Sequence, residues 1–232
     1  MPANTDKSLS QMKVFRDVPP GTLAKVEQQC HWRAFRPRAQ IIHYRDASND
    51  VYFIVRGKVR AEVHSAAGKV VTFRDLGAGD MFGELAAIDG QRRSATILAL
   101  SDCLIAQLPA HMLWDLLVSE PAVMRAVLLH LNGLVRSLST RVYEFSALAV
   151  QNRIHAELLR IARDAESTAD GVRIAKMPTH AEIASRISTH REAVARELSR
   201  LAKRGVIARS GSGLTIPDLD RLMRMVAEAT AE

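Results

Sequence analysis

The spacing of hydrophobic positions changes twice along this chain, and each change marks a different kind of structure. "DVPPGTLAKVEQQC" carries a Pro-Gly stop followed by helical spacing, and residues 1 to 10 before it read as loose. From Ile41 to Leu108 the apolar residues come in short β-branched or alternating runs: "IIHY", "VYFIVRG", "KVRAEVHS", "KVVTFRDL", "SATILAL" and "CLIAQLP". Between them lie "RDASND", "SAAGK", "GAGD" and "DGQRR", all turn-like. Several short strands at regular spacing predict an antiparallel sandwich or barrel.

After "LPAHMLWDLL" the period lengthens. Leu128, Val135, Val142 and Ala149 recur every seven residues, and Met124, Leu131, Leu138 and Phe145 form a second series offset by three. These are the a and d positions of a heptad repeat, which predicts a long helix pairing with a copy of itself. A helix packed on its own domain is the alternative. "QNRIHAELLRIARD" begins another helical unit, and "DGVRI" reads as a strand or turn. Two short helices follow. Thr179 and Glu182 have capping-box spacing at the start of the first, and Thr189 and Glu192 repeat it at the start of the second, which Gly205 ends. With a tight turn at "RIST" between them they predict a helix-turn-helix. "VIARSGSGLTI" then reads as a hairpin wing, and "DLDRLMRMVAEA" as a closing amphipathic helix.

Charge sharpens this picture. The net charge is +7, and the excess is concentrated. Between Arg173 and Arg209 there are nine bases against three acids, on the segment that holds the helix-turn-helix. That is the footprint of a polyanion-binding surface. On the second helix Val194, Leu198 and Leu201 share one face, while Glu192, Arg196, Ser199 and Lys203 lie opposite. An i,i+4 salt bridge between Glu192 and Arg196 on a solvated surface is the plainer reading. His180 reads as a helix-start residue and His190 as a phosphate contact rather than as metal ligands. No apolar run approaches the ~18 residues of a membrane span, and the polar N-terminus has no apolar core for a signal peptide. Cys30 and Cys103 are far apart and form no metal pattern or disulfide framework. A cytoplasmic protein with reduced thiols is therefore expected. No Ser-His-Asp order, P-loop or HExxH motif stands out, so an enzyme is not expected.

One short segment is unlike the rest. "MFGELAAIDGQRRSATI" (Met81 to Ile97) places Glu84 and Arg93 nine residues apart in a mostly apolar stretch. With the β-rich domain before a long helix and a winged helix-turn-helix after it, "FGELAAIDGQRRSA" and "STHREAVAREL" make the chain resemble the cyclic AMP receptor protein/FNR superfamily of bacterial transcription regulators. "RIHAELLRIAR" at the domain junction is similar too, and the resemblance covers roughly residues 12 to 217. It implies an α+β chain: an N-terminal antiparallel β-roll (a cyclic-nucleotide-binding jelly roll) over 1–118, a long dimerisation helix and hinge over 119–150, and a C-terminal winged helix-turn-helix over 151–232.

The resemblance also implies roles. The ligand would be cyclic AMP, with cyclic GMP open, and no metal is implied. A buried phosphodiester needs backbone amides and a positive charge. Gly83 would permit close approach, "ELAA" would start a short helix with free amides, and Arg93 would pair with the phosphate oxygens. Ser94 and the Ala95 amide would add donors, Glu84 would accept from the ribose hydroxyl, and Leu85 completes the motif. Arg92 has no match in the family and is expected to be exposed. Ser139 and Thr140 are the candidates for the base contact. A structural ion pair between Glu84 and Arg93 is the alternative reading of the segment. For DNA, Thr179, Thr189, His190, Arg191, Glu192, Arg196 and Lys203 are the candidate contacts, with a TGTGA-like half-site implied by R-E-x-x-x-R. Met124, Leu128, Leu131, Val135, Leu138, Val142 and Phe145 are the candidate dimer interface. Double-stranded DNA, a second copy and RNA polymerase are the implied partners. A regulator of the same architecture sensing another small molecule or a redox signal, or binding DNA without ligand, is the competing reading.

Overall fold

The computed structural model describes residues 7–65, 68–163, 165–211 and 213–231. It divides into two compact units, Met1–Val135 and Arg136–Glu232. The stretch 1–6 of the expected loose N-terminus, residues 66 and 67 of "SAAGK", and Ser212 at the wing tip lie outside the described residues.

The first unit is built on two four-stranded antiparallel sheets. One has the order β1 (His31–Phe35), β8 (Cys103–Leu108), β3 (Val51–Arg56), β6 (Met81–Phe82); the other has β2 (Gln40–Ile42), β7 (Thr96–Ala99), β4 (Lys58–His64), β5 (Val70–Gly77). The first sheet is covered on both faces. Val51, Phe53, Ala106 and Leu108 point to a cluster shared with α1 (Pro20–Gln29), α3 (Ala110–Ser119) and the start of α4 (Pro121–Ala147). Tyr52, Ile54, Cys103 and Ile105 point the other way, to a cluster between the sheets. That is why "VYFIVR" reads as a continuous apolar run, whereas a half-exposed strand alternates. β1 and β6 are strands the hydrophobic pattern missed. "HWRAF" is mostly exposed, and "MF" is only two residues long.

Two N-terminal expectations are corrected. Pro20 and Gly21 open α1, where a proline's missing N–H costs nothing, so the pair starts the helix instead of stopping a segment before it. The described part of the N-terminus is tied down: the Leu9 N–H donates to Glu27 Oε1 at 2.7 Å, and Leu9 is fully buried.

In the second unit α5 (Val150–Ala162), α6 (His180–Arg186), α7 (Arg191–Lys203) and α8 (Leu219–Ala231) share one core with the sheet β11 (Ala208–Ser210), β12 (Gly213–Ile216), β10 (Gly171–Ile174), β9 (Glu166–Thr168). The wing is the β11–β12 pair, in register at Ser210 and Gly213. α7 ends as expected at Gly205. Its φ of +66° lets Val206 N–H reach Leu201 O and Gly205 N–H reach Ala202 O, the double bond of a Schellman cap.

The first capping box forms. Thr179 accepts from the Glu182 N–H at 3.2 Å, and Glu182 accepts from the Thr179 N–H at 2.8 Å. The second does not. Ser188 adopts φ +53°, the Thr189 N–H is taken by Ala184 O, and the cap of α7 moves on to His190, which makes no side-chain cap bond. Thr179→Ala should therefore cost about 1 kcal/mol, and Thr189→Ala less than about 0.5 kcal/mol. Urea denaturation followed by circular dichroism compares them; equal losses would mean that Thr189 caps α7 after all.

Candidate functional site

The cassette is built around a glycine that cannot be replaced without strain. β6 delivers the chain to Gly83, whose φ of +81° turns it into α2 (Glu84–Asp89). A Cβ there would lie 2.7 Å from Arg93 Nη1 and 2.9 Å from Asp50 O. The backbone is that close because the guanidinium of Arg93 lies against it. Arg93 Nη1 donates to Gly83 O at 3.0 Å and Nε to Ser48 Oγ at 3.1 Å. The guanidinium also stands 5.5 Å from the centre of the Tyr52 ring, which stacks on Phe82. Two backbone bonds, Arg93 N–H to Asp46 O and Arg45 N–H to Arg93 O, pin the loop that carries it.

Arg93 is only 3% exposed, and its Nη2 has no hydrogen-bond partner among the described residues. Burial pushes its pKa down from the usual guanidinium value, with Tyr52, Asp50 and Asp46 pulling it back up. Burial likewise raises the pKa of Tyr52, against the pull of Arg93. Beside Arg93, Ser94 is exposed and Ala95 half-buried, and Leu85 is exposed on α2. Arg92 is exposed, as expected, and donates to Arg45 O.

Glu84 is 2% exposed, and it does not pair with Arg93. The structural ion pair considered for these two residues is thus corrected. The neighbours of Glu84 are His130 Nε2 at 3.3 Å and Arg74 Nη2 at 3.6 Å, from α4 and β5. Neither could be found in the sequence, since His130 is 46 positions away and sits in a heptad pattern that draws attention to its apolar neighbours. Ser48 and Tyr52 were missed as well, one in a turn and the other in a strand read only as core. Ser139 and Thr140 are exposed positions of α4 in the second unit, and the Thr140 hydroxyl donates to Arg136 O.

The α4 stripe is real in part. Met124, Leu128, Val135, Leu138, Val142 and Phe145 are all exposed, Val142 by 64%. Leu131 is the exception, half-buried against the core of the first unit. Ala149 is not on the helix, because α4 stops at Ala147 and Ala149 is the extended residue before α5.

In the helix-turn-helix, Val194, Leu198 and Leu201 are buried, while Glu192, Arg196, Ser199 and Lys203 are exposed. The Glu192–Arg196 bridge, the alternative reading of this face, does not form: Arg191 Nε meets Glu192 Oε1 at 2.8 Å, and Arg196 has no partner among the described residues. The hydrogen bond from Arg191 holds the Glu192 carboxyl below its usual pKa. Thr179, His180, Arg191 and Glu192 border one open concavity of about 470 Å³ where the starts of α6 and α7 meet. His190 is the exposed first residue of that second start, and Lys203 closes the same helix. Among the described residues no helix is long and apolar enough to cross a membrane.

Comparison with known proteins accounts for both units. The family model described as the cyclic nucleotide-binding domain matches residues 32–120, and the Crp-like helix-turn-helix domain matches residues 152–225. Over 198 residues the chain is 28% identical to the cAMP-activated global transcriptional regulator CRP of Pasteurella multocida, which covers 84% of this chain and 94% of that one. Among solved structures it is similar to a CooA mutant from Carboxydothermus hydrogenoformans, with a TM-score of 0.79 at 21% identity and 97% of each chain covered. It is also similar to the c-di-GMP-responsive global regulator CLP of Xanthomonas campestris, with a TM-score of 0.74 at 19% identity over 86% of this chain and 100% of that one. A roll with the glutamate-arginine cassette, a long helix and a winged helix-turn-helix, matched in that order by the two family models, show that the chain belongs to the cyclic AMP receptor protein/FNR family of DNA-binding transcription regulators.

Proposed function

We propose that this regulator is switched by a cyclic nucleotide, cyclic AMP or cyclic GMP, and binds an inverted-repeat DNA site as a homodimer. The observation that carries the ligand reading is Arg93. A buried guanidinium with an idle donor is costly until an anion completes its hydrogen bonds. A phosphodiester supplies that anion, with charge-assisted bonds to its oxygens. The Ser94 hydroxyl and the Ala95 N–H add donors beside it, Gly83 keeps the wall close, and Glu84 accepts from the ribose hydroxyl. Relatives such as the Pasteurella multocida protein are named for activation by cyclic AMP, which supports this reading, while neighbours of the same fold include a c-di-GMP-responsive regulator and one complexed with OCPA. The redox alternative loses support at the cysteines. Cys30 is buried and its thiol is pushed up to about 12, so it holds little thiolate at neutral pH. Cys103 is also buried, with its thiol against Lys58 O and Ser101 O.

On the DNA side Arg196 is exposed and unpaired, as a bidentate contact to guanine requires. His190, Arg191, Glu192 and Lys203 flank it on α7, and Thr179 and Thr189 precede the two helices. The exposed α4 stripe supplies the dimer seam, with Leu128, Val135, Leu138 and Val142 as its apolar line. A two-fold pair of recognition helices reads half-sites about one helical turn apart. The ligand acts by binding the DNA-competent dimer better than the idle one.

Arg93→Ala should abolish nucleotide binding in calorimetry while leaving ligand-free melting unchanged or raised, because it removes a desolvated charge. Specific DNA affinity of the wild type should rise about 5- to 150-fold with one of the two nucleotides, and that rise should vanish in the variant. If the wild type binds its site equally well with either nucleotide and with none, the ligand reading is wrong.

Arg196→Ala should cost roughly 1–3 kcal/mol on a TGTGA-type site and relax preference at one guanine. Equal weakening on random DNA would instead make Arg196 a phosphate contact, with a flatter salt slope.

Leu138→Glu should give monomers or aggregates in sedimentation and weaker DNA binding, since a charge buried in an apolar seam costs several kcal/mol. A wild-type chain that sediments as a monomer at micromolar concentration would remove the dimer from the scheme.

A further inference from the structure

A buried carboxylate accepts a ligand's hydroxyl selectively only if something holds it in place. In the first unit that holding comes from Arg74 and His130, not from the phosphate-side arginine. Arg74 Nη2 lies 3.6 Å and His130 Nε2 3.3 Å from the same atom, Glu84 Oε1. Oε2 accepts no hydrogen bond from any described residue. The carboxylate is 3% exposed and the His130 side chain 24%, so the pair sits at the edge of the buried site. His130 is on α4 and Arg74 on β5, which places Glu84 between two elements that its own helix does not fix.

We propose that His130 is a positioning residue for recognition of the ribose 2'-hydroxyl. Together with Arg74 it anchors Oε1 of Glu84 and leaves Oε2 as the acceptor the hydroxyl donates to. Preference for a ribose over a deoxyribose nucleotide then depends on a histidine that does not itself touch the ligand. The proposal rests on the cyclic-nucleotide reading and concerns only how that site selects the sugar.

The test is a cycle of two ligands against four proteins, read as dissociation constants by calorimetry on the full chain. The ligands are the better-bound of cyclic AMP and cyclic GMP and its 2'-deoxy analogue. The proteins are wild type, His130→Leu, His130→Gln and His130→Asn. A hydrogen bond to a charged acceptor makes the wild type prefer the ribose form by about tenfold or more. In His130→Leu that ratio should fall toward one, through weaker binding of the ribose form, while affinity for the deoxy form changes less than about twofold. His130→Gln, which keeps a donor of similar reach, should recover most of the ratio, and His130→Asn, with a shorter reach, should not. If His130→Leu does not melt cooperatively, the Gln and Asn variants make the same comparison.

A wild-type ratio in His130→Leu, or equal loss of both ligands, overturns the positioning role while the nucleotide reading stands. Recovery in Asn equal to that in Gln overturns it too. A wild type with no preference between the two sugars removes the role of Glu84 and His130 together. A wild type that binds neither nucleotide sinks the cyclic-nucleotide reading itself, and the positioning role with it.

Discussion

Burying the guanidinium of Arg93 constrains nearly everything around it. A cation removed from water must be surrounded by acceptors and aromatic faces, and each has a structural consequence. The acceptor at Gly83 O requires a backbone carbonyl within 3.0 Å, which only a residue without Cβ at φ +81° can present here. The aromatic face requires Tyr52 on the inner side of β3, and its ring is held in turn by stacking on Phe82. The loop carrying Arg93 is fixed by backbone bonds to Asp46 and Arg45. With these contacts in place Nη2 of Arg93 still has no hydrogen-bond partner among the described residues.

The second unit also buries charge, but there the partners are complete enough to organise the helices. Glu157 of α5 is 2% exposed and is met by Arg160 at 2.5 Å and Arg186 of α6 at 3.1 Å. Arg160 also pairs with Glu144 near the end of α4, and Arg141 of α4 donates to Arg186 O. His155 of α5 bonds Glu197 of α7 at 2.6 Å, in the core face of the recognition helix. Breaking such a pair from one side leaves an uncompensated buried charge and is strongly destabilising, which sets the pairing of these helices more sharply than apolar contact does. α6 and α7 therefore meet the rest of their unit through directional contacts. The outward face of α7 is left to polar residues that bind little else in the chain.

The two uses of buried charge differ in whether a carboxylate is present. Glu157 is met by Arg160 and Arg186, and Glu197 by Arg200 and His155. Arg93 is paired with no carboxylate among the described residues. Glu84 lies between these cases: Arg74 and His130 meet one of its oxygens, and no described residue meets the other.

Much of the architecture could be read from local pattern because local pattern causes it. Alternating and β-branched runs give the strands of the roll. The apolar faces of α5 and α7 follow helical spacing, Thr179 and Glu182 are close enough in sequence to cap each other, and Gly205 ends α7 through bonds confined to the segment from Leu201 to Val206. The cassette was visible for a similar reason, since Gly83, Glu84 and Arg93 lie on one short segment, the helix α2 and the turns that flank it. What sequence could not decide were the choices that depend on partners far along the chain. Thr189 has the spacing of a cap, yet Ala184 O takes its N–H. Glu192 and Arg196 have the spacing of a bridge, yet Arg191 reaches the carboxylate instead. Leu131 carries the heptad rhythm, yet packs on its own core. Glu84 and Arg93 look like an ion pair, yet Glu84 is met by residues 10 positions before it and 46 after it. Short-range geometry is a property of the backbone and can be read from spacing. Which of several competing donors satisfies a buried group is settled only when the tertiary fold brings them within hydrogen-bonding distance.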